Sequence, residues 1–279
     1  MKASLWFAGT LLALAATAQP AWPQSKEAIE AANRLVVRSG LATQIEAMPK
    51  QIDEEIAQSR GKVPDEVLDA IAAAFKESFR PAVLQEEVGR SLAGKMQAAE
   101  MQKVTGWLET DLGRRVTRAE EQAARSMTPQ TVLAHAEQMK RQPPSQKRIA
   151  ILVDLAAVTK ATEAAANMFE AIALGMMIGM DTAQPAQNRI GIAALQSRLR
   201  QSVPREKLTE SLDAALPEIF SYTYREVSDE DLAGYLAFNR SALGSRYNDA
   251  VVAAFTEALA GASVRVGQLM DAAMKRKSA

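Results

Sequence analysis

Leu41-Ala42-Thr43-Gln44-Ile45-Glu46-Ala47-Met48-Pro49-Lys50-Gln51-Ile52-Asp53-Glu54-Glu55-Ile56 carries apolar side chains at Leu41, Ile45, Met48, Ile52 and Ile56, three or four residues apart. That spacing is the helical period, and it sets the five on one stripe. At an offset of 120 positions Ala161, Ala165, Met168, Ile172 and Met176 repeat the stripe with smaller residues at its start. Good helix formers recur around both, whereas the alternating Val-Thr-Ile runs that mark strands are absent. The expected fold is all-α, a tandem duplicated repeat of about four to five helices per copy forming a bundle-like body.

A second correspondence supports the repeat. At an offset of 131, Trp107, Leu112, Gly113 and Arg115 match Phe238, Leu243, Gly244 and Arg246, and Val104 matches Tyr235. Between the anchors both halves share punctuation: Val63-Pro64 then Pro81, and Val203-Pro204 then Pro217. An internal duplication explains this pattern. The join is expected at residues 141–145, where Pro143-Pro144 ends a helix and Ser145 caps the next. The first repeat then spans residues 26–140 and the second, with the clearer signature, residues 146–279. Each reads as one long helix, a Pro-started pair of shorter helices, and a last pair hinged at the glycine. Pro49 predicts a kink or restart in the first long helix, which Phe169 spares the second. Gly113 and Gly244 are read as helix stops that tolerate positive φ. Arg115 and Arg246, opposing the dipole of the helix that follows, call for a carboxylate or carbonyl partner. The two stripes are expected to meet across a pseudo-two-fold, with Ala161 and Ala165 allowing close approach.

Residues 1–18 read as a secretory signal peptide. Lys2 is the basic start, Ser4 to Ala16 an apolar stretch too short to span a bilayer, and Ala16-Thr17-Ala18 the cleavage pattern. Residues 19–25 form a short N-terminal linker, and the expected location is the periplasm. The most apolar run beyond the signal, Ala171 to Met180, has only ten residues, so no transmembrane segment is expected after cleavage.

Composition narrows the chemistry. The 279 residues hold 33 basic and 33 acidic side chains, no cysteine and one histidine, His135. A neutral balance argues against nucleic-acid binding, which needs basic excess. Without Cys there are no disulfides, thiolate metal sites or Cys nucleophiles, and one imidazole cannot supply a two-His site.

The string Val227-Ser228-Asp229-Glu230-Asp231-Leu232, followed by Tyr235-Leu236-Ala237-Phe238-Asn239-Arg240-Ser241-Ala242-Leu243-Gly244-Ser245-Arg246-Tyr247, resembles the signature of the exported bacterial family known as domain of unknown function 2059. Trp107-Leu108-Glu109-Thr110-Asp111-Leu112-Gly113-Arg114-Arg115 resembles a more divergent copy. Both lack the usual proline of that signature, with Asp111 and Ala242 in its place, and Asn239 replaces a frequent aromatic. The resemblance implies an exported, all-helical protein of one or two copies, with no assigned activity.

Candidate sites follow from residue chemistry. His135 has no nucleophile or orienting partner at readable spacing, so it reads as a surface or helix-end residue. Asp53-Glu54-Glu55 and Glu86-Glu87 read as solvated helix faces, and Asp229-Glu230-Asp231 as a helix start capped by Ser228. Thioethers such as Met168, Met176, Met177 and Met180 can hold Cu(I), but Met168 and Met176 belong to the stripe, where core packing accounts for them. Met177 and Met180 fit it less well and are candidates to border a groove. Tyr222, Tyr224 and Tyr247 with Arg246 make a second candidate surface, because Tyr joins apolar area to a hydroxyl. Trp107, Gly113, Arg115, Phe238, Gly244 and Arg246 are structural signature residues. Lys275-Arg276-Lys277 complements the dipole at the end of the last helix. No metal set, cofactor site or catalytic constellation is read. The expected function is a non-catalytic protein-interaction module of the cell envelope with another envelope protein as partner; the alternative is a carrier or chaperone for an apolar ligand or lipid in a Met/Tyr-lined groove.

Overall fold

The structure, a computed structural model, describes residues 25–62 and 64–278. Residues 1–18, read as a signal peptide, and residues 19–24 lie outside the described residues, as do the side chains of Arg276 and Lys277. Among the described residues the fold is all-α, with thirteen α-helices and no strand. The first seven are α1 (Lys26–Arg38), α2 (Leu41–Ser59), α3 (Asp65–Ser78), α4 (Pro81–Ala93), α5 (Ala98–Leu108), α6 (Asp111–Ser126) and α7 (Pro129–Arg141). After the loop at 142–145 come α8 (Gln146–Val158), α9 (Ala161–Thr182), α10 (Ile192–Ser202), α11 (Arg205–Thr223), α12 (Asp229–Arg240) and α13 (Ala242–Ser278).

The helices number seven and six per half, more than the four to five expected, for identifiable reasons. Each long first helix is split by a left-handed residue, Gly40 at φ 75° and Lys160 at φ 50°, which stand 120 positions apart. The Pro-started pair exists in the first half, as α3 and α4, but α11 runs unbroken through Pro217. α2 likewise continues through Pro49 without a restart. The last long helix of the first half, α6, ends before Met127, where Thr128 caps α7 and Pro129 occupies its first turn. Ala260 stands 131 positions after Pro129, so α13 passes that point and runs for 37 residues, about 55 Å.

α13 is the spine of the molecule. It packs along α9, crosses α3 and α4 of the first half, and touches α5 and α12. A single core cluster accordingly joins Leu35, Ile45, Leu84 and Leu92 to Ala254, Leu259 and Val266. The stripe residues Leu41, Ile45 and Ile56 are buried, but α2 packs on α6, α3, α4 and α1 while α9 lies along α13. The two stripes therefore do not meet face to face. The closest approach is instead between α9 and α13: a Cβ at Gly179 would lie 2.1 Å from the Val264 carbonyl oxygen, and one at Gly267 2.1 Å from that of Met176. Bare backbones touch there. α13 is also the one helix, among the described residues, long and apolar enough by length and composition to cross a membrane, over Ala242–Ala273. Its apolar residues are spread around the helix instead of forming one run, and Ala254, Ala258, Leu259, Ala262 and Val266 are buried in the core.

Helix pairings recur at the two offsets. α1 packs on α5 as α8 packs on α12, and α2 packs on α6 as α9 packs on α13.

Candidate functional site

The signature residues converge at the contact between the halves. Trp107 at the end of α5 and Phe238 near the end of α12 stack with ring centroids 3.9 Å apart and planes 12° from parallel. Residues that match in sequence thus meet in space. After each comes the same cap: Thr110 Oγ1 accepts from Gly113 N at 3.1 Å and donates to Trp107 O at 2.7 Å, and Ser241 Oγ accepts from Gly244 N at 3.0 Å and donates to Phe238 O at 2.6 Å. Neither glycine has positive φ. Each lies inside the first turn of its helix, where a Cβ would come within 2.4 Å (Gly113) or 2.1 Å (Gly244) of the carbonyl oxygen of the stacked aromatic. Crowding, not a helix stop, demands glycine.

The arginines after the glycines find carboxylates in the opposite half. Arg115 holds Asp231 with two bonds, at 2.8 and 2.6 Å, and Arg246 holds Glu100 at 2.9 Å. Glu100 and Asp231 both occupy the third position of their helices, behind the caps Gln97 and Ser228. Asp231 lies below its usual pKa because Arg115 hydrogen-bonds it. The pairs are reciprocal, which marks these residues as structural couplings between the halves.

The candidate surface built on Tyr222, Tyr224, Arg246, Tyr247, Met177 and Met180 does not form as one patch. Tyr222 and Tyr224 are buried. The Tyr224 hydroxyl donates to Glu120 Oε1 at 2.7 Å and that of Tyr235 to the same oxygen at 3.0 Å. Desolvation pushes the Glu120 carboxyl up to about 7 despite these two donors. Tyr247 packs its ring near Phe238, and burial raises its hydroxyl well above the ordinary value. Arg246 is engaged by Glu100, while Met177 and Met180 are half-buried on α9. Lys275 reaches Asp271 at 2.6 Å and the Ala183 carbonyl at 2.7 Å, so its charge serves the fold. No group of His, Cys, Asp or Glu suited to a metal ion occurs among the described residues.

The arrangement with ligand-holding geometry lies elsewhere. α7, α8 and α11 enclose a cavity of about 570 Å³, within the range of small-molecule sites. Its walls include Met139, Ile149, Leu152, Val153, Ala156 and Phe220. Ile149 is 38% and Val153 55% exposed, so the cavity presents apolar side chains to incoming material. α8 explains how these residues face outward. It is apolar nearly all round; Ile151 and Leu155 enter the core beside Tyr224 and Leu232, leaving Ile149 and Val153 on the other face. Arg148 fixes that helix, donating to Asp229 Oδ1 at 2.7 Å and to the carbonyls of Tyr224 at 2.6 Å and Val227 at 3.0 Å.

One buried polar pair borders the cavity. Ser221, 7% exposed, lines the wall, and its Oγ stands 3.1 Å from His135 Nε2 and 2.7 Å from Met139 Sδ. His135 is half-buried with its ring edge-on to Tyr222, and it titrates below its ordinary value through burial first and the Arg225 charge second. Sequence reasoning placed His135 at a surface or a helix end and passed over Ser221. No spacing rule joins residues 86 positions apart on different helices. The readable signal was α8, whose second apolar face the stripe of α9 cannot cover. No family model, curated protein or solved structure matches the chain, so the resemblance to domain of unknown function 2059 stands on the quoted residues alone.

Proposed function

We propose that the chain is an exported, non-catalytic helical protein that holds an apolar small molecule in the cavity between α7, α8 and α11. The observation that carries this reading is the cavity itself: about 570 Å³, walled by aliphatic side chains, and left partly open by α8. Burying apolar ligand area yields roughly 25 cal/mol per Å², enough for retention without charge pairing. The carrier reading is thereby preferred over the protein-interaction reading, and its groove moves from the Met177 and Tyr224 regions to α8. Export is read from the 1–18 segment, and in the cell envelope apolar molecules need shielding from water.

N-phenylnaphthylamine, whose fluorescence rises in apolar surroundings, is the direct probe. Saturable binding at one site per chain is expected, weakened in Ala156→Phe, which narrows the cavity, and kept in Val37→Ser, an exposed apolar residue of α1. Helix content by circular dichroism shows whether each variant is folded. Equal dye binding in Ala156→Phe and the unmodified protein would refute the reading.

A further inference from the structure

We infer that the ligand of this cavity is an uncharged amphiphile carrying a hydrogen-bond donor, as an alcohol does, and that Ser221 Oγ receives that donor. This deepens the carrier reading and rests on it. A serine hydroxyl has one hydrogen and two acceptor lone pairs. The hydrogen of Ser221 is engaged within the protein, because its two polar neighbours are Met139 Sδ at 2.7 Å and His135 Nε2 at 3.1 Å. If it points to the sulfur, His135 donates to the oxygen and one lone pair is left. If it points to His135, both lone pairs are left. In either tautomer Ser221 keeps a lone pair for the cavity, while its one hydrogen already has an acceptor within the protein.

A carboxylate tail end would bring only acceptors to that point and leave its charge unsolvated beside an apolar wall. The mouth also disfavours an anion. Asp213 and Glu218 line it against one cation, Lys140, whose ammonium is held by Glu137 at 2.6 Å. Asp213 accepts from Thr162. The acidic lining and the Ser221 acceptor therefore both turn away a carboxylate, and the apolar wall disfavours a charge of either sign.

Four single-chain probes of equal length separate the possibilities by displacement of N-phenylnaphthylamine: decanol, decyl methyl ether, decanoate and decylammonium. Decanol is expected to bind about three- to tenfold tighter than the ether or the carboxylate, the worth of one net hydrogen bond. In Ser221→Ala that preference falls to near unity while dye binding persists. Equal affinities for decanol and its ether, a preference for decanoate, or a decanol preference surviving Ser221→Ala each overturn the assignment with the cavity reading intact. Tightest binding of decylammonium also overturns it, by moving recognition to the acidic rim. Absence of dye binding instead removes the cavity reading and this inference with it.

Discussion

Glu120 is a carboxylate whose surroundings depart far from those of a free side chain. Its carboxyl rises from 4.5 to about 7, because desolvation outweighs the hydroxyl donors of Tyr224 and Tyr235, and the nearby Glu121 charge adds to the rise. A folded-state pKa above the unfolded value means the folded protein binds the proton more tightly. The stabilisation is complete below about pH 4.5 and is lost as pH climbs to about 7. Glu120→Gln removes this dependence. Denaturant titrations at pH 5 and pH 8 are expected to show unmodified protein losing roughly 2–3 kcal/mol relative to the variant across that interval. A constant difference between the two proteins would show that Glu120 titrates normally. Lys160 poses the opposite situation, a left-handed backbone on a residue with a Cβ. Lys160→Gly should gain about 0.5–1 kcal/mol, seen as a melting temperature roughly 2 °C higher, since the exposed Lys160–Asp249 pair contributes little. A fall in melting temperature would show that the pair outweighs the backbone.

At the scale of elements, the α9–α13 crossing depends on glycines and not on the interlocking of large side chains. Gly179→Ala forces a methyl group onto the Val264 carbonyl, so the helices must part and about 2–3 kcal/mol is expected to be lost from unfolding stability. Gly106→Ala is the control. Nothing lies within 4 Å of its Cβ, and there the better helix propensity of alanine should add about 0.5–1 kcal/mol. These crossings were only partly legible. The periods of α2 and α9 follow from their sequences, and the caps Ser145 and Ser228 sit where polar residues precede a helix. Pro217 misled, because the same residue type starts α4 at Pro81 and yet lies inside α11. The difference lies upstream: Arg80 is already extended, at ψ 121°, whereas the residues before Pro217 remain helical. Tertiary packing of Leu216, Ser221 and Tyr222 holds α11 together. The cavity was legible only in the outward apolar face of α8: the rest is a space between three helices, to which α7 and α11 contribute walls that look ordinary alone.

For the whole molecule, the halves are coupled and not merely adjacent. The Trp107–Phe238 stack, the reciprocal pairs Arg115–Asp231 and Arg246–Glu100, and the passage of α13 through the first half all cross the 142–145 loop. The repeat pattern read from sequence placed a join at that loop and a bundle-like body around it. Geometry makes the two sides of that join interdependent. Residues 26–140 and 146–279 produced as separate chains should each show low helix content and non-cooperative melting, and regain a cooperative transition when mixed. Two independently folded halves, each melting sharply, would show that the shared contacts are dispensable.

The reach of α13 also fixes when folding can finish. Arg265 grips Glu87 with two bonds, at 2.9 and 3.1 Å, across 178 positions of chain. Leu84, Val88 and Leu92 lie in the same core cluster as Leu259 and Val266. A growing chain therefore carries its first half with an open apolar face until α13 has emerged and packs against it. Contacts between residues so far apart in sequence form late and lengthen exposure to chaperones and proteases. Nascent chains stalled before residue 250 should consequently be degraded or held by a chaperone, even though most of their sequence has been made.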